Sequence, residues 1–157
     1  MARESLPVLA CACASLRRTA RAVTQLYEAE LQGTGLRIGQ FTLLQALEQM
    51  GSASQGALGR LLALDATTLS RALPPLERAG WMHAAAGRDR REVRWTLTPA
   101  GRRRLASALP AWERAQERLR TGLPARHWKM LFEDLAAVAG AARGARTRSF
   151  LPDRVRE

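Results

Sequence analysis

Residues Leu64 to Thr98 read LDATTLSRALPPLERAGWMHAAAGRDRREVRWTLT, and two different periods follow one another within them. In the first half, Leu69, Leu73 and Leu76 recur at steps of four and three with Ala72 beside them. That is one apolar stripe of a helix, which Asp65 is placed to cap. Thr67, Thr68, Ser70 and Arg71 are left facing outward near its start. Pro74 and Pro75 remove the hydrogen bonds to the carbonyls of Ser70 and Arg71, so a kink or early stop is expected there. The pattern resumes with Leu76 and Gly80 ends it, which reads as a helix bent after its first two turns. In the second half the period changes to two. Trp81 to Ala84 reads as a weak strand and Ala86 to Arg90 as a turn. Val93, Trp95 and Leu97 then alternate with Arg94 and Thr96 as a half-buried strand. Arg88, Arg90, Arg91 and Arg94 crowd the hairpin, where arginine has little packing value but reaches an anionic surface easily. Asp89 is the one acid at the tip and is expected to clamp a neighbouring arginine such as Arg91.

Upstream, Gln55 to Leu62 predicts a short helix with Ser54 as its cap and Ala57, Leu58, Leu61 and Leu62 inward. Gly59 is expected to weaken that helix. Gly51 to Ser54 reads as a turn, and Leu36 to Gln49 as a helix carrying Phe41, Leu44 and Leu47. Between about Leu6 and Leu31, Leu9, Cys13, Leu16, Ala20, Val23, Tyr27 and Leu31 trace a long amphipathic helix that Gly33 and Gly35 end. Downstream, Thr98-Pro99 is a helix start. Leu105, Leu109, Trp112 and Leu119 follow as its stripe, with a bend expected at Pro110. Leu123 and Pro124 break the chain, a last helix runs from about Ala125 to Ala142, and the tail from Arg143 has no clear period.

The organisation expected is mainly α with a small β-hairpin wing, a winged helix-turn-helix flanked by long terminal helices. Residues 1–35 form an N-terminal dimerisation helix, 36–98 the winged helix-turn-helix and 99–157 the C-terminal dimerisation helices and tail. Apolar stripes too long for so small a central module to cover predict a symmetric pairing of two chains. The two outward faces then lie about one DNA turn apart, over a pseudo-palindromic site.

Composition narrows the partner. The 157 residues carry 25 Lys and Arg against 14 Asp and Glu, a formal charge of +11 that favours an anionic polymer over a neutral ligand. Nothing resembles an enzyme: there is no glycine-rich nucleotide loop, and His83 and His127 belong to no catalytic or ligand triad. No cofactor or metal is expected. No run is long and apolar enough for a membrane span and no secretory signal is convincing, so a cytoplasmic location is expected. Cys11 and Cys13 are too few and too close for a disulfide scaffold.

From about Leu9 to Val138 the chain resembles the MarR family of bacterial transcriptional regulators. The segments that carry the resemblance are LRIGQFTLLQAL (36–47), ALGRLLALDATTLSR (57–71) and, most specifically, DRREVRWTLTPAG (89–101). The resemblance implies a homodimeric regulator, usually a repressor, that a small molecule or the oxidation of a thiol releases from double-stranded DNA. It places residues 65–71 in the major groove and Arg91, held by Asp89, in the minor groove or on phosphate. It also implies an effector pocket between the central module and the long helices, for which Leu16, Leu44 and Trp112 are candidate walls. Cys13 lies fourteen residues before Tyr27, similar to the peroxide-sensing branch of the family, although Arg17 stands where that branch has a second tyrosine. Arg17, one turn along the helix, favours a thiolate. Cys11 and Cys13 are also open to reading as a metal or metalloid sensor, or as small structural residues. The second functional reading is a nonspecific DNA-associated structural protein.

Overall fold

The computed structural model describes residues 7–87 and 92–148. Its elements are α1 (Ala12–Leu31), α2 (Ile38–Met50), β1 (Ala53–Ser54), α3 (Gln55–Leu62), α4 (Ala66–Arg78), β2 (Met82–Ala86), β3 (Val93–Leu97), α5 (Pro99–Gly122) and α6 (Ala125–Arg148). The chain divides into two compact units, Met1–Ala115 and Gln116–Glu157, with α5 running from the first into the second.

The core of the first unit is assembled from the stripes named above. Phe41, Leu44 and Leu47 of α2, Leu58 of α3, and Leu69, Leu73 and Leu76 of α4 are buried together with Met82, Trp95 and Leu97 of the sheet. Caps define where the helices begin. Glu28 of α1 accepts from the Ile38 amide (3.0 Å) at the start of α2, and Ser54 accepts from the Ala57 amide (3.2 Å) to start α3. Thr98 accepts from the Gly101 amide (3.0 Å) and donates to the Gly80 carbonyl (2.6 Å), tying the start of α5 to the end of α4.

The sheet has the order β1-β3-β2 and is antiparallel throughout, with Ala53 opposite Trp95 and Met82 opposite Leu97. The pairing of β1 is a correction, because residues 51–54 read only as a turn. Two residues are too short a run to show a period of two. Val93 also departs from expectation: it is exposed, although it shares a sheet face with the buried Trp95 and Leu97. It lies at the outer end of β3, where the hairpin extends past the core.

The prolines of α4 do not end it. The helix continues through Pro74 and Pro75 to Arg78. Each internal proline costs about 3 kcal/mol, and each fully buried leucine contributes roughly 1.5–3 kcal/mol. Leu69, Leu73 and Leu76, all buried, therefore offset the loss. The Ser70 and Arg71 carbonyls that lose their partners belong to exposed residues, where water can satisfy them. α5 likewise runs uninterrupted past Pro110.

Three further expectations are corrected. α1 begins at Ala12 rather than near Leu6, with Cys11 at its N-cap, and α6 extends to Arg148 rather than ending near Ala142. In α5 the buried residues are Gly101, Ala108, Ala111 and Ala115, while Leu105 and Trp112 are half-buried and Leu109 is exposed. Alanines allow a helix to lie close against its neighbours, so they form the fully buried side of α5, while Leu105 and Trp112 pack half-buried at the edge of the core. Among the described residues no helix is long and apolar enough to cross a membrane.

Candidate nucleic-acid interface

The helix-turn-helix is built by the close approach of α3 and α4. Ala63 turns the chain in the left-handed conformation (φ 53°), and its amide bonds back to the Gly59 carbonyl. A Cβ on Gly59 would lie 2.8 Å from the Leu64 carbonyl oxygen and 3.3 Å from a Leu69 methyl. The residue expected to weaken α3 is thus the one that lets α4 pack against it. A side-chain amide, from Gln55 to the Ala66 carbonyl (3.1 Å), links the starts of the two helices. A depression of about 430 Å³ lies between them, lined by residues including Gln55, Arg60 and Ala66.

At the start of α4, Asp65 holds Thr68 twice: one carboxylate oxygen accepts from the Thr68 amide (2.8 Å) and the other from its hydroxyl (2.9 Å). Ser70 donates its hydroxyl to the Thr67 carbonyl (2.9 Å). Thr67, Thr68, Ser70 and Arg71 are all exposed on the side opposite the buried leucines. The face therefore offers one exposed arginine, threonine methyls and a helix start rich in backbone donors, the components used on phosphates and base edges. Glu77, near the other end of α4, accepts from the Ala84 amide (3.4 Å) and so joins the helix to β2.

The hydrogen bonds from Thr68, its amide first and its hydroxyl second, hold the Asp65 carboxyl below the ordinary aspartate range. A depressed folded-state value stabilises the cap above the unfolded aspartate pKa of about 3.9. That contribution is lost as pH falls through the folded value. Thermal melts between about pH 2 and 5 should show Asp65→Asn abolishing this part of the acid-side slope while keeping the cap. Asp65→Ala should lower the melting temperature at neutral pH as well.

Arg88, Asp89, Arg90 and Arg91 lie outside the described residues. Arg94 is placed, and it points back into the protein. Its guanidinium donates to the Ser52 hydroxyl (3.0 Å), the Ser52 carbonyl (2.9 Å) and the Glu92 carboxylate (3.3 Å). Sequence reasoning set Arg94 among the tip arginines and missed Ser52 and Glu92 as its partners. Ser52 is distant in sequence, and only the β1–β3 pairing brings it close.

Of the candidate effector walls, Leu44 and Trp112 share the core cluster and Leu16 lies on the surface. Leu44 is fully buried in the core, Trp112 stacks on Phe41 with ring centroids 5.8 Å apart and 16° between planes, and Leu16 is exposed. A depression of about 340 Å³ lies instead between α2 and α5, lined by Gln45, Glu48, Gln49, Arg102, Leu105, Ala106 and Leu109. Cys11 and Cys13 are both free and exposed. Arg17 is exposed as well, whereas Tyr27 is buried and burial pushes its hydroxyl above the usual tyrosine range. Fourteen residues of helix separate Cys13 from Tyr27 by about 21 Å, so a contact between them requires a second chain. Among the described residues no group of three or more His, Cys, Asp and Glu side chains is arranged to hold a metal ion.

A helix-turn-helix followed by a hairpin on a three-stranded sheet defines a winged helix-turn-helix protein. Residues 36–93 match the model of the MarR family. The transcriptional regulator MosR of M. tuberculosis, solved in complex with DNA, is similar at 32% identity, with 87% of this chain and 98% of that one covered and a TM-score of 0.79. A probable transcriptional regulator from Pseudomonas aeruginosa is similar at 27% identity, with 82% and 97% covered and a TM-score of 0.75. The uncharacterised HTH-type transcriptional regulator YwoH of Bacillus subtilis is 29% identical over 83 residues, 53% of this chain and 61% of that protein. The chain thus spans about three-fifths of the length of this curated relative. The chain belongs to the MarR family.

Proposed function

We propose that the protein is a sequence-specific regulator of transcription that binds double-stranded DNA as a homodimer and represses until an effector releases it. One observation carries this reading: the outer face at the start of α4 presents Thr67, Thr68, Ser70 and Arg71 while its opposite side is locked into the core. MosR, similar over nearly its whole length, is solved on DNA. In this reading α4 enters the major groove, and Arg88, Arg90 and Arg91 reach the minor groove or phosphate. The site is pseudo-palindromic, with half-sites one DNA turn apart. The location is the cytoplasm, where DNA and the transcription machinery are at hand.

The test is footprinting and gel shift on the DNA flanking the gene. Arg71→Ala should cost about 1–3 kcal/mol of specific affinity, or roughly 5- to 150-fold, with little change on unrelated duplexes. Affinity should also fall steeply with salt. Equal affinity for all duplexes would favour a nonspecific DNA-associated protein instead.

The dimer reading is supported by large apolar side chains that stand exposed among the described residues. Leu9 and Leu16 lie exposed on or just before α1, and Met130, Phe132, Leu135 and Val138 on α6, none of whose described side chains is buried. Phe132→Asp should therefore shift sedimentation from dimer to monomer. A monomeric wild type would count against the pairing.

For the effector, the exposure of Cys11 and Cys13 supports release by thiol oxidation. Both thiols should be alkylated by iodoacetamide in the folded protein, and peroxide should lower DNA affinity in wild type but not in Cys13→Ser. If peroxide leaves affinity unchanged, a noncovalent ligand is the effector.

A further inference from the structure

We infer that Arg94 is a positioning residue: it braces the neck of the hairpin against the turn before α3 and so sets where the wing falls on DNA. This rests on the DNA-binding reading above. At the neck, the Gly87 amide donates to the Glu92 carbonyl (2.7 Å). A Cβ on Gly87 would lie 2.8 Å from one Glu92 carboxylate oxygen, so that carboxylate is folded across the neck. The other oxygen accepts from Arg94, 3.3 Å away. The remaining two guanidinium nitrogens of Arg94 donate to the Ser52 hydroxyl and carbonyl. Ser52 immediately precedes β1, whose Ser54 pairs with Arg94 across the sheet and caps α3.

Gly87, Glu92, Arg94 and Ser52 thus form one continuous chain of contacts from the hairpin neck to the turn before α3, and Ser54, paired with Arg94, carries it to the helix cap. All three nitrogens of Arg94 are occupied, and a planar fork with every arm engaged holds direction in a way a lysine ammonium does not. The brace also neutralises Glu92, a carboxylate next to Arg91 in sequence that would otherwise repel phosphate. An exposed Arg–Glu pair alone contributes little. The bidentate hold on Ser52 is what makes this one directional.

Two measurements on the full-length protein test this, one without DNA. In hydrogen exchange, Arg94→Ala should speed exchange about tenfold in the segment from Met82 to Leu97, the change expected on losing a charge-assisted hydrogen bond. Exchange in α4 should be unchanged. Ser52→Ala, which deletes one acceptor and no charge, should move the same segment less. On DNA, Arg94→Ala should lose minor-groove protection at the site edges and keep guanine protection under α4. Arg91→Ala should then cost much less in the Arg94→Ala background than in wild type. Unchanged exchange in both variants would overturn the brace. So would effects of Arg91→Ala and Arg94→Ala that multiply independently, since these mark Arg94 as a direct contact. Failure of the wild type to protect any site would instead strike the DNA-binding reading, and the exchange result would still decide whether the brace exists.

Discussion

Gly101→Ala is expected to destabilise the protein by about 3 kcal/mol or more, the upper end of what inserting a methyl into a packed site costs. A Cβ at this position, in the first turn of α5, would run into the carbonyl oxygen of Trp81, and the Trp81 carbonyl carbon would lie 2.8 Å away. The obstacle is backbone and is pinned from both sides. The Trp81 carbonyl accepts from the Thr98 amide (3.1 Å), and the Trp81 amide donates to the Leu76 carbonyl (3.0 Å). Relief would require the end of α4, the start of β2 and the cap of α5 to move together. Alanine's better helix propensity returns only about 1 kcal/mol. Urea unfolding should show a lower midpoint with little change in slope. An unchanged midpoint would mean that α5 and Trp81 are not in contact.

Phe41→Ala is the second large effect. Phe41 has no exposed surface and its ring stacks on Trp112, joining α2 to α5. Truncation removes that contact and leaves a cavity, at a cost of about 3–5 kcal/mol. Phe41→Leu, which keeps most of the volume, should cost clearly less, and the difference between the two is read most directly from urea midpoints. Tryptophan fluorescence should shift as Trp112 loses its partner. The contrast with Phe132 is informative: its side chain is 55% exposed within the chain, so its replacement should act on assembly rather than on the stability of the Phe41 core.

Both large effects sit behind the candidate interface rather than on it, and this separates what was legible in sequence from what was not. The stripe Leu69, Leu73, Leu76, the caps at Ser54, Asp65 and Thr98, and the alternation ending in Leu97 were readable because each is a local relation within a few residues. The exposed set Thr67, Thr68, Ser70 and Arg71 followed as the complement of the stripe. The role of Gly59 was misread because a glycine inside a helix signals weakness locally, whereas its value lies in what passes beside it. At Pro74 and Pro75 the early stop is set aside and the helix continues as the return of the stripe at Leu76 implied: propensity counts the bonds lost along the chain and omits the leucines buried across it.

Residue order by itself therefore determined the succession of helices, the hairpin, the basic surplus and the face of α4 turned outward. All of these depend on periods of two or 3.6 and on charge that a string of letters displays. Tertiary structure alone decided that β1 joins the sheet, that alanines rather than leucines form the buried side of α5, and that Arg94 turns inward to Ser52. Each of these is a relation between segments distant in the chain. It is settled by which surfaces close on one another, and no local period records that.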